Sequence, residues 1–370
     1  MRAMVYRGPY KIRVEEKDIP ALEHPNDAIV QVTLAAICGS DLHLYHGMMP
    51  DTRVGMTFGH EFIGVVHEVG PSVQSLKPGD RVMVPFNIYC GSCYFCVRGL
   101  YSNCHNVNPN ATAVGGIYGY SHTCGGYDGG QAEYVRVPFA DVGPSLIPEW
   151  MDDEDAVLLT DALATGYFGA QLADITEGDV VAVFGAGPVG LFAAKSAWFM
   201  GAGRVIVIDH LDYRLEKARR FANAETYNFT EYDDIVVHLK KITDYLGSDV
   251  AIDAAGAEAD GKSDAARQLG QAEVAGWLAD RAELGDRLRP QGRQGFGHGC
   301  VWPHVQRGEV RRRDEQGPHP ADEPMSGEAA MAAAVRAHSQ RVPEAQRDRH
   351  SPVSAGRHQR GVPHLLGEAG

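Results

Sequence analysis

Two groups of residues in this chain have the types and spacing to hold a metal ion. The first is Cys90-x2-Cys93-x2-Cys96-x7-Cys104, four of the seven cysteines within fifteen residues. Two-residue gaps let a turning backbone aim successive thiolates at one point, and tetrahedral zinc takes four of them. This spacing is a recurrent structural-zinc signature; the alternative is four free or disulfide-paired cysteines. Four thiolates leave no position open to a substrate, so such a site holds a lobe together and the chemistry lies elsewhere. The second group is spread wider. Cys38-Gly-Ser-Asp-Leu-His43 and Gly59-His60-Glu61 supply a thiolate, an imidazole and a carboxylate, each at a strand–loop boundary. Three protein ligands plus an open position make a catalytic zinc site.

A third constellation binds phosphate. Gly185-Ala-Gly187-Pro188-Val189-Gly190 matches GxGxxG. It follows an apolar strand, opens an apolar helix, and has an acid, Asp209, at the end of the next strand; that context gives the motif its meaning. Gly185 makes the tight turn, Gly187 lets backbone approach a pyrophosphate, and Gly190 lets helix pack on strand. The helix N-terminus meets the phosphates. Asp209 would accept from ribose hydroxyls and repel a 2′-phosphate, which favours NAD. Arg214, five residues on, either flanks the adenosine or is a solvated helix charge. The alternative for the glycines is a tight turn with no ligand.

The elements that must position these groups are legible in outline. Ala28–Leu34, Glu61–Val69, Arg81–Val84 and Gln131–Pro138 read as strands separated by Gly/Pro turns such as Lys77-Pro-Gly-Asp80, the pattern of a small barrel-like β domain. Residues 108–130, rich in Gly, Tyr and Asn, read as a long loop. From Asp152 the pattern changes. An acidic helix start at 152–160 leads to strand Val180–Phe184, a helix from Val189 to about Met200, strand Arg204–Asp209, a helix over Leu215–Ala222 and strand Asp249–Asp253. Alternation of helices with continuously apolar strands predicts a parallel sheet.

Composition bounds the rest. At 370 residues two domains are the natural prior, and a net charge of −14 argues against a general nucleic-acid binder. Met1–Tyr10 has no apolar signal region. The most apolar stretch, Val180–Ala194, is broken by three glycines and Pro188, so no membrane span is expected. A cytoplasmic location follows as an expectation, and it favours metal over disulfide for the cysteines. The averages hide a break near residue 260. Residues 1–260 carry 18 Lys+Arg and 34 Asp+Glu, while residues 261–370 carry 16 and 14. Leu, Ile, Val and Phe make up only 15 of the last 110 residues, which contain 15 Arg and no Ile, Thr, Tyr or Asn. That is below the apolar content at which a chain buries a core.

Over roughly residues 1–260 the chain resembles the zinc-dependent medium-chain alcohol dehydrogenases. Gly59-His-Glu-Phe-Ile-Gly64, the cysteine lobe and the glycine turn stand in that family's order. The resemblance implies an α/β architecture: a GroES-like zinc-binding catalytic domain over 1–150, and a Rossmann NAD-binding domain, incomplete, over 151–260. It implies two zinc ions per chain and NAD as cofactors. It places the third ligand of the catalytic zinc in Asp161-Ala-Leu-Ala-Thr-Gly-Tyr167, on Asp161, with Glu61 as an alternate ligand; the alternative for Asp161 is a helix-start carboxylate. An Asp at this position, with the long Gly/Tyr loop, looks most like the glutathione-independent formaldehyde dehydrogenase branch. Metal at Cys38, His60 and Asp161 would lower the pKa of an alcohol oxygen. Ser40 would take the proton and His43 would pass it to solvent. Thr165 would help place the nicotinamide. Ser40 as a helix cap and His43 as a surface residue are the alternatives; His46, His67 and His122 match no ligand spacing.

The family's pattern fades after about Gly256, and residues 261–370 read as a disordered tail or as the product of a reading-frame shift. Codons can be chosen for Arg281–Arg293 that, read one base later, encode an amphipathic helix ending in Gly-Gly. Gly295–Trp302 treated likewise encodes a buried strand. A helix and then a strand is the next unit such a sheet requires. On this reading the sheet keeps a bare apolar edge, and the homo-oligomer that the resemblance implies is not expected to assemble. The expected function is hydride transfer from an alcohol or hydrated aldehyde to NAD, the partner being that small substrate, with no nucleic acid or membrane. The alternatives are a polyol- or threonine-type dehydrogenase of the same superfamily, and an inactive zinc- and nucleotide-binding remnant.

Overall fold

The β-branched runs of the first 150 residues form strands where the pattern places them. In the computed structural model the described residues are 1–108, 115–256 and the backbone of 304–307. They fall within one unit, Met1–Ala334, and the frame-shift segments and the rest of the tail lie outside the described residues. Strands β1 (Arg2–Tyr6) and β2 (Ile12–Glu16) pair as an antiparallel ribbon. Then come β3 (Ala28–Ala35), α1 (Gly39–Tyr45), β4 (Phe62–Val69), β5 (Arg81–Val84), β6 (Asn87–Ile88), β7 (Gly116–Ile117), β8 (Tyr134–Val137) and β9 (Ser145–Leu146). Five of these make an antiparallel sheet in the order β8-β3-β4-β5-β9. Register shifts in β3 at Ile29/Val30 and Val32/Leu34 are the irregularities that bend such a pair. Val30, Phe62, Val82, Val135 and Val137 fill its core together with Cys90, Cys96 and Cys104, so the cysteine lobe is rooted in the sheet. The expected long loop is partly built: β7, inside it, pairs with β6 before it, and Tyr118 bridges Tyr127.

The second half alternates as expected. Helices α2 (Asp153–Leu158) and α3 (Ala162–Leu172) lead to β10 (Val180–Phe184), α4 (Pro188–Phe199), β11 (Arg204–Asp209), α5 (Asp212–Ala222), β12 (Glu225–Asn228), α6 (Ile235–Ile242) and β13 (Val250–Asp253). The four strands run parallel in the order β12-β11-β10-β13. They are apolar because both faces are covered: Val181, Val183, Val205 and Val207 pack in one cluster, and Ala182, Ile206 and Ile208 in another. Helix α4 is apolar all round for a related reason. It touches α3, α5, β10 and β11, and Ala193, Ala194 and Ala197 are fully buried.

The expectation of a bare edge at β13 is corrected. Strand β14 (His304–Arg307) runs antiparallel beside it, setting Val250 against Arg307 and Asp253 against His304. An edge strand carries a row of unpaired N–H and C=O groups, and a second extended segment satisfies them.

Strand order reverses between β10 and β13, since the chain reaches β13 only after passing outward through β11 and β12. Crevices at the carboxyl ends of strands at such a switch point are where open α/β sheets bind ligands. The glycine turn sits there. Gly185 has φ +96°, and a Cβ on Gly190 would lie 1.9 Å from the Gly185 carbonyl oxygen. Gly190→Ala should therefore cost about 1–3 kcal/mol, the usual range for overpacking, read as a lower urea midpoint. Around Gly187 nothing lies within 4 Å of where a Cβ would stand. Gly187→Ala should leave the midpoint close to wild type; equal losses for the two variants would contradict this packing.

Candidate active site

Cys38 is the N-cap of α1, at the end of the loop that leaves β3. His60 and Glu61 stand immediately before β4, and the Glu61 carbonyl accepts from the Ala36 N–H at 2.9 Å, which ties the two segments together. Asp161 is the N-cap residue of α3, at φ −148°, ψ −71°. Three separate elements thus bring Cys38, His60, Glu61 and Asp161 together, with one donor atom of each within 4.8 Å of the others. His60 Nε2 lies 3.3 Å from Asp161 Oδ2, and Cys38 Sγ lies 3.8 Å from the same oxygen. All but Cys38 are buried. Neither His46, His67 nor His122 belongs to a donor cluster among the described residues.

The electrostatics show a site short of positive charge. Burial alone would lower the pKa of His60, but hydrogen bonding to Asp161 and Cys38 and the charge of Asp41 hold it well above its ordinary value. Burial, and then the charge of Asp161, push Glu61 up to about 7. Burial raises Asp161 too, but His60 and Thr165 outweigh it and hold that carboxyl below its ordinary value. Buried carboxylates crowded in this way require protons or a bound cation. The donor set fits zinc: one thiolate, one imidazole and carboxylate oxygens, at separations close to the roughly 3.3–3.5 Å that such ligands take around a tetrahedral ion.

Two sequence-expected partners occupy positions of their own. Ser40 Oγ is 3.2 Å from His60 Nε2, at the rim of the donor cluster. His43 lies on α1 and is 5 % exposed, so the surface alternative for it is set aside. Thr165 Oγ1 donates to Asp161 Oδ1 at 2.5 Å. Its hydroxyl therefore orients the carboxylate.

Asp41 was not singled out in the sequence. It is 4 % exposed; its Oδ2 accepts from the Cys38 N–H at 3.0 Å, and its Oδ1 faces His60 Nδ1 at 3.5 Å. A carboxylate behind a ligating histidine fixes its tautomer and ring orientation. The signal was available: an acid three residues after a helix N-cap is half of a capping box.

In the cysteine lobe, Cys93 Sγ lies 3.5 Å from Cys96 Sγ and 3.8 Å from Cys104 Sγ, and Cys90 Sγ lies 3.9 Å from Cys96 Sγ. These separations are far from the roughly 2.05 Å of a disulfide and near the roughly 3.8 Å between thiolates sharing one zinc. The N–H groups of Cys90 and Ser92 and the Asn106 amide donate to sulfur, as they would to thiolates. Burial raises the Cys93 thiol, but backbone N–H groups and Cys96 outweigh it and bring it down to about 6.

The dinucleotide turn is braced by Asp209. Its Oδ2 accepts from the Ala186 N–H at 2.7 Å, and its Oδ1 accepts from His210 and Leu211 N–H at 2.7 and 3.0 Å. Arg214 Nη1 stands 3.8 Å away. Pro188 is the first residue of α4, where its missing N–H costs nothing, and Val189 follows in the same turn. The metal cluster and the turn adjoin. A Cβ on Gly256, beyond β13, would lie 3.9 Å from His43 Nε2, and one on Gly166 of α3 would lie 2.7 Å from the Ala193 N and Val189 O of α4.

Two clustered donor sets and a glycine turn at a switch point match the layout of a metal-dependent, nucleotide-binding oxidoreductase, and comparison with known proteins agrees. Residues 24–149 match the alcohol dehydrogenase GroES-like domain, and residues 188–281 match the zinc-binding dehydrogenase family. The chain is 46% identical over 258 residues to the zinc-type alcohol dehydrogenase-like protein AdhB of Bacillus subtilis, covering 69% of this chain and 68% of that one. It is 40% identical over 276 residues to a glutathione-independent formaldehyde dehydrogenase of Pseudomonas aeruginosa, covering 70% and 66%. Among solved structures, the alcohol dehydrogenase TADH from Thermus sp. ATN1 superposes with a TM-score of 0.64 at 41% identity, over 69% of this chain and 71% of that one. The chain belongs to the zinc-type alcohol dehydrogenases. It spans 68%, 62% and 58% of the lengths of three relatives it matches. Among the described residues no helix is long and apolar enough to cross a membrane.

Two independent donor sets predict two independent losses. Elemental analysis of the wild-type chain should find two zinc ions. Cys93→Ser should reduce that to one without disturbing the other, and His60→Ala should do the same from the opposite side. A single zinc in the wild type that survives His60→Ala would rule out the catalytic cluster as a metal centre.

Proposed function

We propose that this chain is a zinc- and NAD-dependent dehydrogenase that oxidises a small alcohol or a hydrated aldehyde such as formaldehyde. The division of labour follows the boundaries near 150 and 260, and neither nucleic acid nor membrane is a partner. The observation that carries the reading is the convergence of Cys38, His60 and Asp161, from three elements, beside the switch point of a parallel sheet. Among these residues a zinc ion would supply Lewis acidity, making an alcohol hydroxyl acidic near neutral pH.

The chain's own residues do the rest. Cys38, His60 and Asp161 hold the ion, with Glu61 beside them as an alternate ligand. Asp41 fixes the ring of His60, and Thr165 fixes the carboxylate of Asp161. Ser40, at the rim of the cluster, accepts the proton of the substrate hydroxyl, and His43 on the same helix receives it next. Phe86 and Tyr120 stand steeply inclined to the His60 ring, at 72° and 90°, each with its centroid 6.4 Å away. Aromatic walls this close exclude water and favour a small substrate.

Gly185, Gly187 and Gly190 shape the turn, and the N–H groups that open α4 face the pyrophosphate. Asp209 favours an unphosphorylated ribose. A structure of a relative from E. coli, at 31% identity and TM-score 0.59, contains NADH, while one from Sinorhizobium meliloti, at 32% and 0.58, contains NADP, so the preference must come from residues such as this acid.

Two measurements test the proposal. The purified full chain, loaded with zinc, should reduce NAD with formaldehyde or a short primary alcohol; two bound zinc ions with no turnover on any of these would overturn the enzymatic reading in favour of a binding remnant. Asp209→Ala should narrow the preference for NAD over NADP by about tenfold, equivalent to roughly 1.4 kcal/mol. An unchanged ratio would remove Asp209 from cofactor selection.

A further inference from the structure

Gln131 lies ninety residues beyond Asp41 and three residues before β8, yet its side chain reaches the donor cluster from behind. Its Nε2 donates to Asp41 Oδ2 at 3.0 Å and to the Ala36 carbonyl at 3.4 Å. Asp41 is the carboxylate that accepts from the Cys38 N–H and faces His60 Nδ1. One carboxylate therefore touches two proposed ligands, and one amide holds the carboxylate. Asp41 Oδ1 and His60 Nδ1 are buried, face each other at 3.5 Å and have no hydrogen-bond partner among the described residues, so the direction in which this carboxylate points decides whether the pair meets.

The backbone that carries Gln131 is set with little freedom. Its N–H donates to the Phe58 carbonyl at 2.9 Å, and its carbonyl accepts from the Met4 N–H at 2.8 Å. The Gly130 N–H donates to the Gly59 carbonyl at 2.8 Å. The contact with the turn before His60 is close: Gly59 has φ +100°, and a Cβ there would lie 2.4 Å from Gln131 Cγ. Gln131 is thus wedged against the Gly59–His60 turn by its backbone and Cγ, while its amide reaches Ala36 and Asp41 at the start of α1.

We propose that Gln131 is a positioning residue for the metal centre, its amide aiming the Asp41 carboxylate so that both Cys38 and His60 are held ready for the ion. This rests on the reading that Cys38, His60 and Asp161 hold a divalent metal. A primary amide suits the task because it donates to the carboxylate without neutralising it. Glutamate, of the same shape, would set a second anion against Asp41. Losing a hydrogen-bonded residue behind the ligands typically weakens metal binding 10–100-fold.

The test uses the full chain loaded with cobalt(II) in both donor sets, following loss of each ion to an excess chelator and the visible spectrum of the His-containing site. Gln131→Ala should speed cobalt loss from the Cys38/His60/Asp161 site by about tenfold and shift its ligand-field bands. Cobalt in the four-cysteine lobe should leave at the wild-type rate, which shows that the fold is intact. Gln131→Glu should be as poor as Gln131→Ala, and in an Asp41→Asn background Gln131→Ala should add less than a twofold further effect. Unchanged loss and spectrum in Gln131→Ala would overturn the positioning role while leaving the metal reading intact. So would a Gln131→Ala effect of full size in the Asp41→Asn background, or faster loss from both sites together. A wild-type chain that holds cobalt only in the lobe would overturn the metal reading, and this proposal with it.

Discussion

Three buried carboxylates and a thiol surround one imidazole, and the organisation of the site follows from that imbalance. Asp41, Glu61, Asp161 and Cys38 crowd about His60, and among the described residues no lysine or arginine side chain hydrogen-bonds or ion-pairs with these carboxylates. Uncompensated charge in a low-dielectric interior is costly, and a group so placed takes a proton or finds a counter-ion. The pKa values of His60 and Glu61 are raised above their ordinary ranges, and the donor atoms of Cys38, His60, Glu61 and Asp161 lie within 4.8 Å of one another, close enough to share one cation. Metal affinity at such a site depends on pH, because binding the ion displaces those protons.

The site is also where the two halves of the chain meet. Cys38, His60 and Glu61 belong to the antiparallel half, while Asp161 opens α3, which packs on the glycine-turn helix closely enough to require Gly166. His43 on α1 approaches Gly256 beyond β13. A ligand set drawn from both sides is completed only when the halves dock, so metal binding and docking stabilise one another by linkage. The four-cysteine lobe is of the opposite kind. Its ligands span fifteen residues, rest on the β-sheet core and involve nothing from the second half. It therefore says much about ancestry and little about catalysis.

Most of the fold that positions the site was legible because each element follows a local rule. Continuous apolar runs became the parallel strands, and β-branched runs between Gly/Pro turns became the antiparallel ones. The β1–β2 ribbon, α1, α3, β12 and α6 were less legible: β2 faces solvent, and α1 and α6 are short enough that their patterns carry little signal. Strand β14 was illegible altogether, since a stretch with few apolar residues gives no strand pattern and pairs here through backbone groups.

At the site, the sequence by itself singled out the candidates for chemistry. Cysteine spacing, the Gly-His-Glu triplet and the glycine turn pointed to Cys38, His60, Glu61, the four-cysteine lobe and the phosphate cradle, because thiolates, imidazoles and glycines do their work as residue types at short spacing; Asp161 came from the family resemblance instead. What only the tertiary structure decided is how those residues are held. Asp41 behind His60, Thr165 on Asp161, and Gln131 on Asp41 are contacts between side chains 4 to 90 residues apart, arranged by strand register and by glycine-permitted close approaches. Hydrogen bonds of that reach leave no periodic trace in a sequence; they exist only once the backbone has brought their partners within about 3 Å.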